Sequence, residues 1–246
     1  MSYFHRTARR FRTLIALFLS ATLCARAASA AMFSFEAIDE GWYKSTGNHI
    51  PGNTNYFVGD NGEPLTNNYF LFDLQALSIP LGEHIVSANL TLTTFAVQSN
   101  DVSETLVLYD VTSDLSTLST ATSSVATYND LGSGTIYGSH DYFEMFTSPT
   151  ETIPLDEEAR AGIAAAVGSR FAIGGSIATL DGKLATQPDE AEWIFGNSSG
   201  AGVQRLDIIT DVPEPTLAVT TVCVAVASVM RVRTRRRKQF AVPHAQ

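Results

Sequence analysis

Side chains change character every second residue over much of this chain, a period that suits strands and leaves little room for long helices. In Asn68-Tyr69-Phe70-Leu71-Phe72-Asp73-Leu74, one face receives Tyr69, Leu71 and Asp73, the other Phe70, Phe72 and Leu74. Residues 85–95 (IVSANLTLTTF) put Ala88, Leu90 and Leu92 on one side and polar groups on the other, the pattern of a half-buried strand beside solvent. Residues 32–38, 56–58, 104–111, 131–139, 171–177, 191–195 and 204–209 read the same way, and 41–43 continue the first strand after a bend. One stretch has helical spacing, from about residue 156 to 167. Asp156 suits its N-cap, Glu157 and Glu158 suit its first turn, Ile163, Ala166 and Val167 form a narrow apolar face, and Gly168 stops it. The Ser/Thr-rich residues 113–129 are expected to run over the surface without regular structure. About nine short strands and one short helix predict an all-β fold, an antiparallel two-sheet sandwich of jelly-roll type. No repeat of blade length is present, which argues against a propeller.

The two ends have a different composition. Residues 1–30 have the layout of a secretory signal peptide: Arg6, Arg9, Arg10 and Arg12, an apolar core from Leu14 to Leu23, then Ala28-Ser29-Ala30 as a small-x-small cleavage site. Arg9-Arg10-Phe11 matches a twin-arginine signal only in part. Leu23 stands before Cys24 where a lipoprotein signal needs a small residue. Ordinary Sec export fits best, with a domain spanning 31–211. At the other end, Val212-Pro213-Glu214-Pro215 form a rigid turn, because Pro213 and Pro215 fix φ and lack backbone donors. An apolar run follows at about 217–230. Arg231, Arg233, Arg235, Arg236, Arg237 and Lys238 then form a basic stop, ahead of a cytoplasmic tail at 239–246. As a helix the fourteen-residue run spans about 21 Å against a hydrocarbon core of about 30 Å, a short fit for a permanent anchor.

This ordered triplet resembles the PEP-CTERM sorting signal of bacterial surface proteins. The resemblance implies a Gram-negative exporter, a transient stay in the inner membrane, and processing by an exosortase, a membrane protease-transpeptidase that removes the tail. It also implies a cell-surface or extracellular-matrix destination of the biofilm type. The segments NTNYFVGD (53–60), NNYFLFDL (67–74), SANLTL (87–92), LYDV (108–111), DLGSGTIYG (130–138), FAIGG (171–175) and EWIFG (192–196) are similar to the jelly-roll ectodomains often joined to such tails. That second resemblance implies a fold and a surface setting, and no chemistry.

Charge narrows the partners. The whole chain carries −9, but eleven of its sixteen basic residues lie in the two ends. Residues 31–211 keep five basic against 24 acidic residues, a formal charge of −19. A nucleic-acid partner needs a basic footprint and is excluded on this ground. Both cysteines, Cys24 and Cys223, fall in the ends, so the domain between has no disulfide.

Candidate sites are few. His49, His84 and His140 fall in no HExxH pattern, and no GxSxG is present. Gly132-Ser133-Gly134 precedes a strand-like run, so it reads as a hairpin rather than a phosphate loop. Asp189, Glu190 and Glu192 beside Trp193 form the densest acidic run, the residue type used in glycoside hydrolysis, but a solvated loop entering a strand is the preferred account of it. Asp60, Asn61 and Glu63 around Gly62 offer oxygen ligands of the sort calcium takes; an Asn-Gly turn explains the same residues. Trp42, Tyr43 and Tyr56 offer ring faces for an extracellular polysaccharide, although aromatics at strand positions also build cores. The leading expectation is a non-enzymatic surface or matrix protein needing no cofactor; a carbohydrate-binding sandwich is the alternative, and a surface glycoside hydrolase a third.

Overall fold

A computed structural model of the chain describes residues 30–144, 150–181, 185–187, 190–197 and 204–211. They belong to one compact unit from Ala30 to Asp211. The cleavage-site residue Ala28, the turn Val212–Pro215, the apolar run and the basic stop Arg231–Lys238 lie outside the described residues. Among those described, no helix is long and apolar enough to cross a membrane.

Eleven strands and two short helices are described. In chain order they are β1 (Ala31–Lys44), β2 (Asn55–Asp60), β3 (Thr66–Asp73), β4 (His84–Thr93), β5 (Ala96–Gln98), β6 (Glu104–Asp110), α1 (Val125–Leu131), β7 (Ile136–Tyr142), β8 (Thr150–Pro154), α2 (Glu157–Ala165), β9 (Arg170–Ile177), β10 (Glu192–Asn197) and β11 (Arg205–Asp211). All strand pairs are antiparallel. The first sheet runs β1–β11–β4–β8. The second runs β1–β3–β9–β6–β7, and β2–β10–β5 joins it through a single pairing of Gly59 with Thr66.

Strand β1 belongs to both sheets. Residues 31–36 pair with β11, and from Ala37 onward the strand pairs with β3. The register slips between Ala37 and Asp39, and Ile38 at that slip is half exposed. An extra residue bends a strand and strengthens its twist, which lets one strand turn the corner between two layers. The bend expected between residues 38 and 41 is this bulge.

Between the sheets lies one apolar core. β4 and β11 contribute Ala88, Leu90, Leu92, Leu206 and Ile208, and β3, β6 and β9 answer with Phe70, Phe72, Leu106, Leu108, Phe171 and Ile173. Each fully buried side chain of this size stabilises by roughly 1.5–3 kcal/mol relative to exposure. On its far side the second sheet carries another buried cluster: Tyr43, Tyr69, Leu71, Leu118, Leu131 and Ala172. Strand β3 is therefore buried on both faces from Thr66 to Phe72.

Two neighbouring expectations change: the strand expected at 131–139 begins only at Ile136, as β7, and Leu131 belongs to a helix. Helix α2 forms where expected but ends at Ala165: Asp156 caps it by accepting from the Ala159 amide at 2.9 Å, Ala159 and Ile163 face the core, and Val167, expected on its apolar face, lies beyond it and is exposed. But a second helix, α1, begins inside the Ser/Thr-rich segment 113–129, expected to be irregular, and continues to Leu131. The Ser124 hydroxyl accepts from the Thr127 amide at 3.0 Å, and Leu131 is the helix residue that is buried. A seven-residue helix with one buried side chain has no amphipathic period to read; its cap was the available signal.

Gly59 lies on β2 opposite Trp193 of β10, at φ +114. A Cβ there would sit 2.2 Å from the Glu192 carbonyl oxygen. Gly59→Ala therefore combines a left-handed backbone with a backbone clash, and should cost about 3 kcal/mol or more in chemical denaturation of the purified protein. A loss under about 1 kcal/mol would mean that β2 and β10 are not paired this closely.

Candidate functional site

The sandwich brings together two sets of residues that sequence spacing did not. The first is acidic. Glu104 opens β6, Glu192 opens β10, and Asp101 lies in the loop before β6. One carboxylate oxygen of each lies within 4.8 Å of the others, and they are the His/Cys/Asp/Glu group among the described residues whose spacing suits a metal ion. Glu104 is fully buried and Glu192 is 4% exposed, while Asp101 faces solvent. Strand alternation causes this: Trp193 and Phe195 occupy the other face of β10, which turns Glu192 inward.

Glu104 is well held. The Ser99 hydroxyl donates to Glu104 Oε1 at 2.7 Å, and the Thr179 hydroxyl donates to Oε2. Glu192 is held less well. Burial, then the neighbouring carboxylates of Glu104, Asp101 and Asp181, push its carboxyl up to about 7, against a backbone hydrogen bond at Asp181 that pulls the other way. Two buried carboxylates in contact must share a proton or a cation. An all-oxygen set like this matches the ligands of a hard divalent ion such as calcium.

The sequence-level calcium candidates are employed otherwise. Asp60 is buried; its Oδ1 accepts from the Gly62 amide at 2.8 Å and its Oδ2 from the Ala185 amide at 2.6 Å. Glu63 is ion-paired with Lys44 at 2.9 Å, and Asn61 faces solvent. These groups close a turn and do not converge with one another. In the acidic run near Trp193, Glu190 caps a local turn, accepting from the Thr186 amide and hydroxyl at 2.7 Å each, and Asp189 lies outside the described residues. Glu192 is the described member of that run whose carboxylate joins Asp101 and Glu104.

The second set is aromatic. Trp42, Phe57, Trp193, Phe195 and Phe95 form a connected row, with ring centroids 5.9, 5.8, 6.5 and 5.9 Å apart along Trp42–Phe57–Trp193, Phe57–Phe195 and Phe195–Phe95. Four of the rings are half-buried, and Phe95 is 56% exposed. Tyr43 and Tyr56, expected to share a sugar-stacking role with Trp42, are fully buried. The Tyr43 hydroxyl donates to the Leu118 carbonyl at 2.7 Å, and the Tyr56 ring packs edge-on against Phe70 at 5.1 Å. Their places on β1 and β2 turn them inward, so they build core rather than a binding face. The signal for the other rings was the spacing of Trp193 and Phe195, two apart on one face of a strand.

The three histidines are dispersed. His84 lines a groove with Glu83, Ile85, Glu157 and Arg160, between the start of β4 and α2. His140 Nε2 lies 3.7 Å from Glu151, and His49 is buried against Tyr43 and Tyr69.

The fold is an antiparallel β-sandwich domain. No family model matches the chain, and no curated protein matches it. Among solved structures, the K1 cleaved adhesin domain of Lys-gingipain from Porphyromonas gingivalis W83 aligns over 74% of this chain and 97% of its own, at 11% identity and a TM-score of 0.29. A superposition that loose carries no inference about function.

The acidic set makes stability depend on pH. Folding raises the Glu192 pKa from 4.5 to about 7, so the folded state holds a proton that the unfolded chain has released. This contribution is full below about 4.5 and is lost as the pH rises to about 7. Denaturation at pH 5 and 7.5 should show the wild type losing about 2 kcal/mol more than Glu192→Gln. Parallel losses in the two proteins would remove Glu192 as the cause.

Proposed function

We propose that this chain is an exported, non-enzymatic β-sandwich protein of a bacterial cell surface or extracellular matrix, delivered through its C-terminal tail. The observation that carries this reading is the order of three pieces: Val212-Pro213-Glu214-Pro215, the apolar run at 217–230, and the cluster Arg231, Arg233, Arg235, Arg236, Arg237 and Lys238. The apolar run parks in the inner membrane. The arginines resist crossing and hold that end in the cytoplasm, which leaves the proline turn outside for an exosortase-type enzyme to cut. The domain fits such a role: it has no cysteine, it is strongly acidic, and it rests on a packed core alone. Its strand orders β1–β11–β4–β8 and β3–β9–β6–β7 support the jelly-roll reading of the sandwich, with β2, β5 and β10 as additions.

Replacing Arg235, Arg236 and Arg237 by Ser should deplete the membrane-bound precursor and lower surface delivery, read by cell fractionation and mass spectrometry of the mature C-terminus. Unchanged precursor and unchanged delivery, or a mature protein that keeps its last residues, would overturn the sorting role.

Carbohydrate binding is the second reading, favoured by the aromatic set in which Phe57 touches Trp42, Trp193 and Phe195, and Phe195 touches Phe95. Ring faces at a half-open surface suit the apolar C–H faces of sugars, and a domain charged −19 favours neutral or cationic glycans. A glycan array should then give hits that Trp193→Ala weakens about tenfold while the protein melts normally. An array at background removes this reading and leaves the sorting role standing.

A further inference from the structure

Residues 111–124 cross the outer side of the second sheet and cover its buried cluster. Leu118 lies inside that cluster, and Val111 and Leu115 pack at its border. Polar contacts tie this strap down. The Tyr43 hydroxyl donates to the Leu118 carbonyl at 2.7 Å, the His49 amide donates to the Thr122 carbonyl at 3.0 Å, and the Ser124 amide donates to the Gly47 carbonyl at 2.8 Å. His49 Nδ1 lies 2.6 Å from the Ala121 carbonyl oxygen. Behind the imidazole the chain of contacts continues into the sheet: His49 Nε2 is 3.3 Å from the Tyr69 hydroxyl, which donates to Asp39 Oδ2 at 3.0 Å.

Counting protons along this chain gives an uneven result. The Ala121 carbonyl only accepts, so Nδ1 must carry a proton. An ionised Asp39 only accepts, so it claims the single proton of Tyr69. A neutral imidazole then has a bare lone pair at Nε2 facing the Tyr69 oxygen, and no proton is left for that contact. One further proton on Nε2 completes the series: Nε2 donates to Tyr69, Tyr69 to Asp39, and Nδ1 to Ala121. Little water is available to substitute, since His49 is 7% exposed and Tyr69 1%. The Tyr43 ring stacks over the imidazole at 4.4 Å and 11°, a placement that favours a cationic ring.

We infer that residues 111–124 are an acid-locked strap, closed by one proton added to the Asp39–Tyr69–His49 chain and loosened when that proton leaves. The surrounding groups are consistent with this. Strand β1 presents Asp39 and Tyr43, with the buried carboxylate of Glu40 next along it, and β3 presents Tyr69. The strap presents the Ser119 hydroxyl, bonded to Asp39, and the backbone carbonyls. Tyr128 of α1 borders the cluster, and Lys44 turns away to Glu63. Burial holds the Asp39 carboxyl above its usual range, and the Tyr69 hydroxyl, the Glu40 backbone amide, a charged His49 and the Ser119 hydroxyl each pull the other way, toward the carboxylate. The closed strap binds one more proton than the open one, so closure is favoured in mild acid and declines as the pH rises. Opening uncovers Tyr43, Leu71 and Ala172. This device is independent of the sorting and sugar readings.

The test is hydrogen exchange read by mass spectrometry on the purified protein at pH about 5.5 to 8, with labelling times scaled for the intrinsic rate. Protection of peptides covering 111–124 should fall across that range by about tenfold or more beyond whatever the core strand β4 loses through the global, Glu192-linked change. Tyr69→Phe should keep β4 protected and flatten the pH response of the strap. Strap protection that does not change with pH, or a Tyr69→Phe protein with an undiminished response, overturns the inference. Should that variant fail to fold, the His49 ring proton is followed by NMR in the wild type. Its titration must share a midpoint with the loss of strap protection, and separate midpoints overturn the inference equally.

Discussion

Strand β3 has no solvent side. Phe70 and Phe72 enter the core between the sheets, while Tyr69 and Leu71 enter the cluster behind. A strand in this position cannot be left half covered, because Tyr69 and Leu71, with Tyr43 of β1 beside them, would meet water on the unroofed face. The roof made by residues 111–124 and α1 is thus a condition of the sheet beneath it. The polar ties beside it follow from the same requirement: wherever the roof crosses the sheet, backbone carbonyls are buried and need donors, and Tyr43 and His49 supply them.

The second constraint is charge. A domain with few basic residues cannot neutralise its buried carboxylates by pairing each with a cation, so it uses other means. Asp60 is satisfied by backbone amides, Asp39 by hydroxyls, Glu104 by Ser99 and Thr179. Glu192 is the place where these means fall short, and its raised proton affinity is the result. The chemistry available to this molecule lies where its acidic composition meets its core.

Much of the sandwich was legible in the chain. Alternation located β1, β3, β4, β6, β9, β10 and β11, because each has one face that differs from the other or two faces that are both apolar. Asp156 and the acidic turn after it located α2. What escaped notice had no local pattern. Helix α1 buries Leu131 and little else, so its period is invisible. The burial of Tyr69 and Leu71 was present in the run Tyr69-Phe70-Leu71-Phe72, apolar on both faces, and implied a cover that the Ser/Thr-rich segment did not advertise. The acidic set joins residues about ninety positions apart, and the aromatic row runs from β1 to β10. Such sites are products of topology, and spacing along one chain does not contain them. Tyr43 and Tyr56 went the other way: a ring on a strand reads alike from either face until the register is known.

The position of β11 has a mechanical consequence. It is an interior strand, paired with β1 on one side and β4 on the other, and its first six pairings run opposite the opening residues of the domain. A pull on the chain beyond Asp211 therefore loads two ladders at once, along the strand axis. Hydrogen bonds stressed in that direction must break together, whereas an edge strand pulled sideways releases them one at a time. A molecule hauled by β11 would resist as a clamp does, and severing the chain beyond that strand would leave both ladders whole.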